Sequence, residues 1–283
     1  MPELLDSWAR WAEGPPDAQQ FQLLQADRAS VGALNRRPGI IHWNSWQEAA
    51  VNFLPWDVNC TRLHLGLIPL PFIGNVLKAS VYFLLLNPGV SATDYHAEYE
   101  IPGFRRRLLS NLRQDFADER FSFLPLDPEF AWHSGAAYWE KKLKHVATQL
   151  CERTGAPQAV VRETIAQHVC AIELLPYHSR SFGLSHGACE AVPSAQLART
   201  FVHHLKSADS ADEKLFVVMR RERGWGLDHK ASNVVVFTPG QARGAHLSTA
   251  DPGAPGSRVV TQLLPHLQLK LLAQRGLKRQ ACQ

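Results

Sequence analysis

Four short apolar runs punctuate the chain: Ser80–Leu86 (SVYFLLL), Val169–Leu175 (VCAIELL), Leu215–Met219 (LFVVM) and Asn233–Thr238 (NVVVFT). Each has the length and the β-branched or aromatic content of a strand buried on both faces. Between them lie helical patterns at Gly103–Phe116, Tyr138–Arg153, Pro157–Gln167 and Ser194–Ser207. This alternation predicts right-handed βαβ units, and so a three-layer α/β domain with a central four-stranded parallel sheet flanked by helices. Residues 1–70 read as an N-terminal helical cap, broken by Pro and Gly (EGPPDAQQ, RRPGII), whose Trp43, Trp46, Phe53 and Trp56 suggest packing onto a neighbour. The α/β domain then spans 71–283. A long, aromatic, proline-containing stretch at 118–136 is either an ordered functional loop or a small inserted subdomain.

Composition narrows the classes. The 283 residues are 45% hydrophobic and 20% charged, as in ordinary globular chains. The longest apolar runs fall short of the ~18 residues of a spanning helix, so no membrane is expected. The N-terminus, MPELLDSWARWAEG, carries acids and tryptophans where a signal peptide carries a basic and then an apolar region, which makes the cytoplasm the expected location. Cys60, Cys151, Cys170, Cys189 and Cys282 are scattered and include no CxxC pair, so reduced thiols and no metal are expected. A net charge of +4, with a pI near 8.9, permits an acidic partner such as DNA without demanding one.

In parallel sheets chemistry collects just past the carboxyl ends of the strands. Asn87-Pro88-Gly89 follows the first run. The second run contains Glu173 and leads into Tyr177, His178 and Arg180. Arg220, Arg221 and Arg223 follow the third run, and Pro239 through His246, with Gln241 and Arg243, follow the fourth. Four polar mouths on one edge point to a site there.

The stretch Asn87-Pro88-Gly89, with Tyr99 twelve residues on and then Pro102-Gly103-Phe104 and a basic helix, resembles the first motif of the uracil-DNA glycosylase superfamily. It is most similar to the mismatch-specific thymine and uracil branch. By order and spacing the resemblance runs to about residue 265. It implies a DNA glycosylase that flips a nucleotide out of the helix and hydrolyses its N-glycosidic bond without cofactor. It further implies that Asn87 holds the attacking water and that Tyr99 stacks on the extruded base, with Pro88, Gly89 and His178 beside it. His246 is a candidate for stabilising the leaving base. Arg243 and Gln241 would enter the minor groove, and Arg105, Arg106 and Arg180 would meet phosphates. The bland alternatives are that Asn87 caps a turn, that Tyr99 is a core residue, and that the arginines form a solvated face.

Where the superfamily carries an Asn that reads uracil, this chain has Glu173. A carboxylate accepts from the exocyclic amine of cytosine and repels the uracil carbonyl; a protonated one also donates to cytosine N3. The alternative is a strand glutamate paired with Arg180 or His178. A cytosine-type target that spares the host genome is a modified cytosine, and the whole is similar to bacterial anti-phage glycosylases acting on glucosylated hydroxymethylcytosine. The expected partner is phage DNA, and the expected state a monomer. Two other functions stay open: a housekeeping mismatch or deaminated-base glycosylase, and a non-catalytic nucleic-acid-binding module.

Overall fold

The computed structural model describes residues 3–15, 17, 20–33, 39–54, 57–117, 119–208, 213–237 and 246–280. The expected apolar runs form strands β4 (Val81–Leu85), β5 (Val169–Glu173), β6 (Leu215–Val218) and β7 (Val234–Val236). They lie in the order β5-β4-β6-β7, each parallel to its neighbour. A further strand, β3 (Phe72–Ile73), adds antiparallel to β5, so the sheet is five-stranded and mixed, which corrects the expected four-stranded parallel sheet. Two residues between prolines and a glycine are too short a signal for periodicity to detect. Strands β1 (Ile40–Ile41) and β2 (Leu63–His64) pair separately.

Alternation along the strands sorts their side chains into two cores. Tyr82, Leu84, Cys170, Ile172, Phe216 and Val218 pack with apolar residues of α1 (Glu3–Glu13), α5 (Pro102–Arg113) and α9 (Pro193–Ser207). Val81, Phe83, Leu85, Val169, Ala171 and Val217 pack with α6 (Ser134–Thr154), α7 (Gln158–His168) and α11 (Pro255–Gln280). The result is three layers, helix on sheet on helix. From the N-terminal part, Leu4, Leu5, Trp8 and Trp11 belong to the first of these cores. Its other helices are α2 (Arg28–Ala33) and α3 (Trp46–Asn52); α3 is capped by Ser45, whose hydroxyl accepts from Glu48 N at 3.1 Å. Two single-turn helices, α8 (His186–Glu190) and α10 (Glu222–Trp225), lie on the loops around α9 and β6.

From β4 the chain crosses to β5 on one side and then to β6 on the other. The reversal opens a crevice beyond the carboxyl end of β4, the position at which such sheets bind ligands. Helix α4 (Ala92–Glu100) leaves this crevice with a capping box, the Asp94 carboxylate accepting from Ser91 N at 2.7 Å. The 118–136 stretch forms two 3-10 turns, Leu124–Leu126 and Pro128–Phe130, with Phe123, Leu124, Leu126 and Phe130 buried. Arg107 ties it down through Asp127 at 2.9 Å, Phe121 O at 2.6 Å and the Glu119 carboxylate.

Candidate active site

The crevice holds a cavity of about 650 Å³, within the range of small-molecule sites. Its walls come from the β4 mouth (Asn87 to Ser91), from Glu173, from the segment His178–Phe182, from Arg220, and from α4, α5, α6 and the 118–136 stretch. Asn87, Pro88, Gly89, Glu173, His178 and Arg180 are thereby brought to one place. Tyr99, Arg105, Arg106 and His246 are not among the lining residues. Gln241 and Arg243, the expected minor-groove residues, lie outside the described residues.

Asn87 is held by its amide nitrogen. Nδ2 donates to Tyr177 O at 3.1 Å, to Pro88 O at 3.1 Å and to Ser179 Oγ at 2.8 Å. Main-chain carbonyls can only accept, so the nitrogen must be the atom that faces them, and Oδ1 is turned away as an acceptor. Ser179 Oγ in turn gives its own proton to Ser181 O at 3.0 Å. The mouth is further pinned by His178, whose Nδ1 lies 2.8 Å from Gly89 O and Nε2 3.1 Å from Ile68 O. Both edges of this ring face main chain, which makes His178 a clamp on the mouth and corrects its expected role in reading a base.

Three carboxyls share the cavity in different states. Glu173 ends β5 with its carboxyl enclosed; Oε2 meets no hydrogen-bond partner among the described residues. Burial pushes it well above the usual carboxylate range, which favours the neutral acid. The alternative pairing with Arg180 or His178 is not formed. The neutral form weakens the base-choice argument. A carboxyl with its proton on either oxygen can donate to cytosine N3 and accept from the exocyclic amine, or accept from uracil N3–H and donate to O4. Glu173 alone therefore separates the two bases only as an anion.

Glu98, one turn beyond Asp94 on α4, is pushed up to about 8 by burial, opposed by the Ile68 N–H that its Oε2 accepts at 2.8 Å and by Arg105 at 4.0 Å. Asp94 is largely buried, which alone would raise it; the contact with His133 Nε2 at 3.2 Å and the capping-box bonds outweigh burial and hold it low. Ser91, Thr93 and Ser134 hydroxyls cluster beside it within 2.7–3.0 Å of one another. Although Ser134, His133 and Asp94 adjoin, they form no nucleophile relay. His133 Nδ1 is taken by Gly135 N–H at 3.1 Å and Nε2 faces Asp94, which leaves no ring nitrogen to accept a hydroxyl proton.

Tyr99 is not at the cavity. Its hydroxyl bonds the carbonyls of Gly66 at 2.8 Å and Trp43 at 3.2 Å, and its ring stacks on Tyr95 at 6.2 Å. Tyr95 and Tyr99, four residues apart, share the buried stripe of α4, while Asp94 and Glu98 share the stripe on the cavity. Sequence reasoning missed the aromatic that does line the cavity while half exposed, Tyr138, at 44%. It stands on α6 beside Glu173 and Arg220, both of which bear on its phenol, and edge-on to the buried Trp139 at 5.4 Å.

Among the basic residues, Arg220 lines the cavity and is exposed, and Arg180 reaches the Leu54 carbonyl and lies 4.8 Å over the Phe53 ring. Arg106 is exposed on α5; Arg105 turns toward Glu98. His246 lies tilted against His145 of α6, ring centroids 4.0 Å apart, where the buried Leu247 next to it donates its N–H to Lys142 O at 2.9 Å. This removes it from the expected leaving-group position. Among the described residues no helix is long and apolar enough to cross a membrane, and no group of three or more His, Cys, Asp or Glu is placed to hold a metal ion. No family model, curated protein or solved structure matches the chain.

Proposed function

We propose that the protein is a DNA glycosylase that draws an extruded base into the crevice and excises a modified cytosine, with glucosylated hydroxymethylcytosine in phage DNA as the leading candidate and antiviral defence as the biological role. The observation that carries this reading is Asn87, whose amide is fixed nitrogen-inward at the strand mouth so that its carbonyl oxygen is the acceptor left for a water. N-glycosidic hydrolysis develops positive charge on the sugar and negative charge on the departing base, so an oriented water and fixed charges of the right sign suffice. The ionised Asp94 has the sign that favours a cationic sugar. Asn87 orients water but is a poor base, which implies slow turnover.

The neutral Glu173 supplies one donor and one acceptor to a base edge, and Tyr138 takes the stacking role that the resemblance gave to Tyr99. The hydroxyls of Ser91 and Ser134, with the Asp94 carboxylate, offer partners to a hydroxylated substituent. Arg180, Arg220 and Arg106 would meet backbone phosphates around the mouth. A second reading, excision of uracil from deaminated DNA, is favoured by one observation: a neutral carboxyl can pair with uracil as well as with cytosine.

The test is incubation of the purified protein with duplexes containing cytosine, uracil opposite guanine, hydroxymethylcytosine or its glucosylated form, followed by alkaline cleavage. Strand breaks confined to modified cytosine, and lost in Asn87→Ala with DNA binding intact, are the expected result. Breaks in uracil DNA select the second reading. Breaks in none of the duplexes would overturn the glycosylase assignment and leave a binding module.

A further inference from the structure

We propose that Tyr177 is a positioning residue for Asn87, and that residues 24–27 of the N-terminal part act on the cavity through it; its consequence for catalysis rests on the glycosylase reading. Tyr177 joins the two places with its two ends. Its carbonyl accepts from Asn87 Nδ2 at 3.1 Å. Its phenol, in a residue 1% exposed, donates to Asp27 Oδ2 at 2.5 Å and accepts from Leu24 N at 3.2 Å. Asp27 is itself 0% exposed, and its second oxygen accepts from Ser194 N at 2.9 Å in the first turn of α9.

None of Asp27, Tyr177 and Ser194 lines the cavity, so ligand contact does not account for them. Packing alone does not require them either, since an apolar pair of similar volume fills such a space at comparable stability. What the hydrogen bonds add is direction. They fix the rotation of residue 177, hence the aim of its carbonyl, hence which way round the Asn87 amide sits. Neighbouring bonds hold the same segment: Ser179 N to Pro88 O at 3.1 Å, and His64 N to His178 O at 2.9 Å.

The test compares Tyr177→Phe with Tyr82→Phe, which deletes a different buried phenol hydrogen bond, Tyr82 to Val76 O at 2.8 Å. In 15N-labelled protein the Asn87 side-chain NH2 is the signal pair missing from Asn87→Ala, and its exchange with water reports how firmly the amide is held. Tyr177→Phe is expected to speed that exchange at least tenfold and Tyr82→Phe to leave it within twofold. Asp27→Asn, which keeps an acceptor for Ser194 N, is a milder second variant with an expected acceleration of about threefold. Unchanged exchange in both Tyr177→Phe and Asp27→Asn, or equal acceleration in Tyr82→Phe, overturns the proposal.

On a cleavable duplex, Tyr177→Phe should lower kcat about tenfold with KM within twofold, and should lower nothing further on an Asn87→Ala background. Additive losses would mean that Tyr177 does not act through Asn87. If the wild type releases no base from any duplex, the glycosylase reading fails, while the exchange comparison still decides the positioning claim.

Discussion

Replacing Glu98 by Gln should change how stability depends on pH. Glu98 is 3% exposed on the cavity side of α4, and burial raises its carboxyl from the ordinary 4.5 to about 8. Between those two values the unfolded chain has released this proton and the folded chain retains it. Stability contributed by the site is therefore complete below about 4.5, falls as pH rises, and reaches its floor above about 8. The slope is at most about 1.4 kcal/mol per pH unit, and across the window the loss approaches roughly 4 kcal/mol. Gln has nearly the same shape and an oxygen to accept from Ile68 N, but no proton to lose. Urea unfolding of both proteins from pH 5 to pH 8.5 should give curves that diverge, with the variant gaining on the wild type as pH rises. Burial of the new NH2 group adds an offset of about 1–3 kcal/mol that does not vary with pH, so the test is the difference in slope. Parallel profiles would refute the assignment of a proton to Glu98 in the folded state.

Other consequences follow from the same geometry. Tyr138→Leu should weaken binding to DNA carrying the target base at least tenfold and leave binding to DNA with an abasic analogue unchanged, as read by fluorescence anisotropy; stacking of this kind is worth about 1–3 kcal/mol. Tyr99→Phe should instead lower stability by about 1–2 kcal/mol in denaturant melts without altering base binding, because it deletes only bonds to Gly66 and Trp43. Glu173→Ala should reduce kcat/KM at least tenfold, and Glu173→Gln, which keeps a donor and an acceptor, should reduce it less. Arg107→Ala should destabilise the fold by about 1–3 kcal/mol in urea melts, since it removes the cation between Asp127 and Glu119 and the bond to Phe121 O that holds the 121–130 wall.

The strands and their long helices were legible because each is a run of apolar positions whose length and period no loop imitates. The predicted Ser194–Ser207 and Pro157–Gln167 fall within a residue of the helices found, Pro193–Ser207 and Gln158–His168, whereas Gly103–Phe116 runs three residues past Arg113 and Tyr138–Arg153 misses the first turn of α6. The mouth was legible too, since strand order places Asn87, Glu173 and Arg220 on one edge. What stayed hidden depends on three-dimensional phase. Tyr99 carried a motif position, yet its helix turns it into the buried stripe with Tyr95. The sequence signal that could have shown this is the double pairing Asp94/Glu98 and Tyr95/Tyr99, each four residues apart. Tyr138 opened the predicted helix Tyr138–Arg153, but the helix found begins at Ser134, and which of its faces meets the cavity depends on how it packs on the sheet. The upward shift of Glu173 depends on burial, and Oε2 meets no partner among the described residues, which no spacing reveals.

In the proposed reaction Asn87 orients a water for base release. This role is tested most directly by measuring abasic-site formation on glucosylated-hydroxymethylcytosine, uracil and unmodified cytosine duplexes, with wild type and Asn87→Ala side by side and DNA binding recorded for both. Abasic sites are expected only in modified-cytosine DNA, with a loss of at least a hundredfold in the variant and binding within twofold. Base release that survives the substitution undiminished would contradict this role.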